Sequence, residues 1–67
     1  MKDFSVREVD WLRGREYELA KLRDTMKEEG DAILPVGYAR GRVMSAAALV
    51  DMAIDALQHA IRERLGD

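Results

Sequence analysis

Apolar residues recur at helical spacing in two stretches of the chain, and a glycine closes each stretch. In the first, Leu12, Leu19 and Met26 repeat every seventh residue, and Val9 and Leu22 widen the stripe. Ser5-Val6-Arg7-Glu8 has the form of a capping box, with Phe4 and Val9 placed as a hydrophobic staple around it. The pattern predicts a helix over about residues 5–29, ending at Gly30. Gly14, which costs ~1 kcal/mol in a helix interior, is its weak point. Glu16 and Arg23 occupy the intervening seam positions. Opposite charges there are expected to answer each other between chains.

The second pattern is clearer. Ala46, Leu49, Val50, Ala53, Ile54, Leu57, Ala60, Ile61 and Leu65 share helical spacing, while Asp51, Asp55, Gln58, Arg62 and Glu63 take the opposite side. This predicts a helix over about residues 44–65. Ser45 is the expected N-cap, Met44 and Leu49 the staple, and Gly66 the stop. The many alanines on the apolar side let another helix approach closely, which favours helix packing over a bulky ligand pocket.

Between the two lies an apolar connector, residues 30–43, containing Ile33, Leu34, Val36 and Tyr38. It exceeds the ~2–8 residues usual between bundle helices. Pro35 disfavours helix at Leu34 and removes an amide donor. A connector of this kind either covers the end of a bundle or offers anchors to a partner. The expectation is that Ile33 and Leu34 turn inward while Tyr38 and Arg40 remain outside.

The fold class is therefore all-α, a two-helix antiparallel hairpin forming one domain. At 67 residues such a hairpin is expected to need support, because cores of this size rarely supply more than ~3–5 kcal/mol. The chain has no cysteine for disulfides and a single histidine, so neither metal nor cofactor is expected. Self-association remains. The expected assembly is a homodimeric four-helix bundle with Leu12, Leu19, Met26, Leu49, Ile54, Leu57 and Ile61 in its core or dimer seam.

Charge and chemistry narrow the function further. A formal charge of −2 gives no general attraction to nucleic acid or to anionic membrane. No apolar run is long enough to span a bilayer, and no basic-then-apolar leader opens the sequence, so the expected compartment is the cytoplasm. His59 falls on the polar side of the second helix, and no base is spaced to activate Ser45. Asp51 and Asp55, one turn apart, read as a solvated face. No enzymatic activity is expected.

Arg-Gly-Arg occurs twice, supplying Arg13, Arg15, Arg40 and Arg42 as candidate phosphate contacts for a dimeric nucleic-acid binder. The acidic balance stands against that alternative. Trp11, Tyr17, Tyr38, Arg40 and Met52 are residue types enriched in protein interfaces and lie off the main stripes. The preferred reading is a non-enzymatic module that binds and modulates a larger protein, as inhibitor or adaptor. In shape alone, such a hairpin dimer is similar to compact plasmid and phage regulators, which implies a phage or bacterial regulator. A purely structural assembly subunit is a further alternative.

Overall fold

The computed structural model describes the backbone of residues 2–66 and the side chains of residues 6–66. Two helices, α1 (Lys2–Ile33) and α2 (Tyr38–Gly66), pack against each other as a hairpin. They run antiparallel: Glu8 pairs with Arg64 at the open end, and Gly30 meets Val43 beside the turn.

Both helices are longer than the sequence pattern predicts, and the connector shrinks to residues 34–37. Gly30 does not stop α1, because its carbonyl still accepts the Leu34 N–H at 3.0 Å. The stop comes at Pro35, which has no N–H to give to the carbonyl of Asp31. The α2 ladder starts when Gly41 N–H donates to Gly37 O at 3.1 Å, so Ser45 is a residue of the helix interior rather than its cap. At the other end α1 passes through Ser5 to begin at Lys2, and Phe4 of the expected staple lies outside the described side chains.

Arg40 explains how the tight turn is held. Its guanidinium donates to the Asp31 carbonyl that Pro35 leaves without a helical partner, and reaches the Asp31 carboxylate at 3.2 Å. A side chain of α2 thus caps the C-terminus of α1. Arg40→Ala should cost about 1–2 kcal/mol, the usual worth of charge-assisted hydrogen bonds. Urea unfolding that leaves the midpoint unchanged would deny Arg40 this role.

The contact between the helices is a single seam. Val9, Ala47, Ile54 and Ile61 are buried, with Leu12, Leu19, Met26 and Leu57 half-buried around them. Among the described residues no large side chain is fully enclosed. Polar rungs interrupt the apolar ones. Gln58 Nε2 donates to Glu16 Oε2 at 2.7 Å, and Arg23 donates to Asp51 Oδ1 at 2.6 Å and to Asp24 at 3.1 Å. The hydrogen bond to Asp51, followed by that to Asp24, holds the Arg23 guanidinium above its ordinary pKa. Glu16 and Arg23 therefore find partners on α2 of their own chain. Helical geometry explains it: both lie on the α1 stripe that faces α2, level with Gln58 and Asp51.

Beside the turn the helices approach closely. A β-carbon on Gly30 would lie 2.9 Å from Val43 Cγ1, inside van der Waals contact. Glycine is needed at this position because it lets α2 approach, and not because it ends the helix. Gly30→Leu should destabilise the hairpin by about 1–3 kcal/mol, as over-packing does; a thermal midpoint equal to that of the parent would refute the close approach.

Candidate functional site

The hairpin measures 51 × 14 × 10 Å, a single layer of two helices, so its two broad faces both meet solvent. Those faces differ. On α1, Trp11 and Leu22 are eleven residues apart and hence on one side of the helix, 61% and 49% exposed. On α2, Ala46, Ala53 and Ala60 fall at every seventh residue, with Leu49, 65% exposed, alongside.

Two grooves show that these stripes share one face of the hairpin. Near the open end, Trp11 and Leu12 border a groove of about 440 Å³ with Ala60, Glu63 and Arg64 opposite. Near the turn, Met26, Glu29 and Ile33 border another of about 330 Å³ with Val43 opposite. The reverse face carries Arg13, Asp24, Asp51 and Asp55, with an apolar patch of Val6 and Leu65 at the open end. One side of the molecule thus sets Trp11, Leu22 and Leu49 among charged neighbours such as Glu8, Glu29 and Glu63, and the other is more strongly charged.

The turn forms a second apolar surface. Ile33, Val36 and Tyr38 are 73%, 87% and 78% exposed, projecting from an end stiffened by Pro35 and by the Arg40 clamp. Ile33 therefore points outward, against expectation, because α1 continues through it and turns it away from α2. Leu34 is half-buried. Arg40 is mostly covered by its bond to Asp31 and is not free at the tip, again against expectation. Tyr38 is outside as expected, its ring beneath the Arg42 guanidinium at 4.7 Å and its hydroxyl accepting from that group.

The remaining candidates are dispersed. Tyr17 and Met52 are exposed on the outer surfaces of α1 and α2, and Leu49 lies on the open apolar face rather than inside the hairpin. Arg15 lies over Trp11 at 5.8 Å and pairs with Glu18 at 3.0 Å. Arg13 borders a shallow groove with Val6 and Leu65. The two Arg-Gly-Arg groups sit toward opposite ends of the hairpin, about 25 Å apart at 1.5 Å of rise per residue. Within one hairpin they form no continuous phosphate track. His59 is exposed, its Nδ1 2.9 Å from the Asp55 carbonyl oxygen. Among the described residues no group of His, Cys, Asp and Glu is arranged to hold a metal ion, and no helix is long and apolar enough to cross a membrane.

Val36 and Leu22 are exposed large apolar residues that sequence reasoning did not place on the surface. The Pro35-Val36-Gly37 turn was the available signal for the first, since a residue between proline and glycine at a hairpin tip has little to pack against. Leu22 was absorbed into the core stripe because it lies only one helical step from Leu19.

The chain matches no protein family, no curated protein and no solved structure. Its function is argued from this geometry.

Proposed function

We propose that the protein is a non-enzymatic binding module: a homodimeric four-helix bundle whose hairpin tips dock into a larger protein and modulate it. The observation that carries the reading is the cluster of Ile33, Val36 and Tyr38, three large apolar side chains exposed by 73–87% on a short, braced turn. A rigid apolar projection loses little conformational entropy on binding, so more of its burial energy appears as affinity. Tyrosine with a neighbouring arginine is a frequent hot-spot composition.

Self-association is supported by the thinness of the hairpin. With Val9, Ala47, Ile54 and Ile61 as the buried apolar residues, one hairpin removes little surface from water. A second copy on the apolar face would close a core between two layers. The arginine groups supply no comparable surface, since the two Arg-Gly-Arg segments sit far apart along the hairpin.

The test separates folding from binding. The double variant Val36→Asp, Tyr38→Ala should keep the parent's melting temperature within about 4 °C, because substitutions at exposed sites usually change stability by under ~0.5 kcal/mol. It should lose the host protein that crosslinks to the parent's tip. Unfolding of the variant would make the tip part of the core. Undiminished crosslinking of the same protein would place the docking surface elsewhere.

A further inference from the structure

We infer that the second copy seats on the apolar face with its α2 against α1 and its α1 against α2, so that both turns lie at the same end of the dimer. The inference rests on the dimer reading above and adds its arrangement.

Two two-fold arrangements bring the apolar faces together with every neighbouring helix antiparallel. In one the axis crosses the helices: α1 lies on the copy's α1, α2 on its α2, and the turns sit at opposite ends of a molecule 51 Å long. In the other the axis runs along the helices, each α1 lies on the α2 of the other chain, and the turns are side by side.

The two halves of the face are unlike, and this decides between them. The α1 half presents bulk, Trp11 and Leu22, and the α2 half presents mainly the small side chains of Ala46, Ala53 and Ala60, with Leu49 its one large apolar residue. Laying α1 on α1 sets bulk on bulk and leaves alanine facing alanine, so the two helix pairs would need different separations. Laying α1 on α2 sets Trp11 and Leu22 against alanines and places Leu49 between Leu22 and Met26, an alternation that lets facing layers interdigitate.

Register and charge give the same answer. An axis parallel to the helices leaves heights unchanged, so the levels are those within the hairpin, where Arg23 meets Asp51 and Glu16 meets Gln58. At those levels Trp11 covers Ala60 of the second copy and Leu22 lies beside its Ala53. Glu29 comes within one helical turn of the copy's Arg42, and Arg15 within reach of its Glu63. Among the described residues neither Glu29 nor Glu63 has an ion-pair partner within its own chain. The crossed-axis arrangement instead lays the α1 edge, with Glu8, Glu18 and Glu29 against Arg7 and Arg15, along its own copy. Its acidic excess opposes that contact.

One consequence concerns binding. Side-by-side turns merge two tips into one apolar patch, doubling the anchors offered at a single end.

The chain has no cysteine, so single cysteines can report the arrangement. Val36→Cys and Gly66→Cys chains are prepared separately and mixed, then treated with a short bis-maleimide. With the turns together, Val36→Cys alone yields covalent dimer at least tenfold faster than the 36–66 mixed product forms. Predominance of the mixed product would overturn the arrangement while leaving the dimer intact. Absence of either product, with a sedimenting mass of one chain, would overturn both. An independent charge swap reads the same contact. Arg42→Glu should weaken association about tenfold, with recovery on adding Glu29→Arg; recovery on adding Glu63→Arg instead would mean that the turns lie apart.

Discussion

Ile54→Ala should abolish cooperative thermal unfolding at micromolar concentration. Ile54 lies at the middle of the one buried seam, between Ala47 and Ile61 on α2, and is 7% exposed. Truncating a buried isoleucine commonly costs ~2–5 kcal/mol. A core of this size supplies about that much in total. Neighbouring rungs cannot compensate, because Glu16–Gln58 and Arg23–Asp51 are polar and partly open to water. The control is Val36→Ala at the exposed tip, which should shift stability by under ~0.5 kcal/mol. If circular dichroism melts of the two variants overlay, the seam does not hold the fold.

Ala53→Glu should raise the dissociation constant of the dimer about a hundredfold, or ~2.8 kcal/mol at 1.4 kcal/mol per decade. Ala53 is exposed in the single hairpin but central to the apolar face, between Ala46 and Ala60. Association would trap a carboxylate there without a partner, and an uncompensated buried charge is strongly unfavourable. Ala48→Glu adds the same charge to the same helix on the opposite side, where Asp51 and Asp55 already meet water. It should leave association within about threefold of the parent, a shift of ~0.7 kcal/mol. Equal dissociation constants for the two variants, measured by sedimentation equilibrium, would show that the apolar face is not the contact.

The hairpin was legible because amphipathic periodicity over more than five turns has no competing explanation. The seam residues at every seventh position of α1 could be read directly, including the charged ones. Their partners could not, because pairing depends on the relative level of the helices, which the turn sets. That turn was misjudged through Gly30. A glycine after a periodic stretch ordinarily marks a helix end, but here it serves the approach of Val43, and only tertiary contact distinguishes the two roles. Once α1 runs on to Ile33, the apolar connector becomes a four-residue turn and its outer residues become a projection. Ser45 failed as a cap for the same reason, since Arg40 and Gly37 place the start of α2 a full two turns earlier.

The candidate site was only half legible. Trp11 and Tyr38 stood out as large residues off the stripe, whereas Leu22 and Leu49 were hidden inside it. A helix in a four-helix bundle has two buried directions about a right angle apart, and one sequence stripe covers both. Which residues face the sister helix and which stay open is decided only when the hairpin is closed. Leu49 and Ile54 illustrate this: both are apolar on α2, yet one is 65% exposed and the other 7%.

The central claim is that this hairpin is half of a bundle. Sedimentation velocity and equilibrium at micromolar concentration, on the unmodified chain, test it most directly. The account predicts a single species of twice the 7.6 kDa chain mass, dissociating only with loss of helical signal. A folded species of one chain mass that melts cooperatively at that concentration would contradict it.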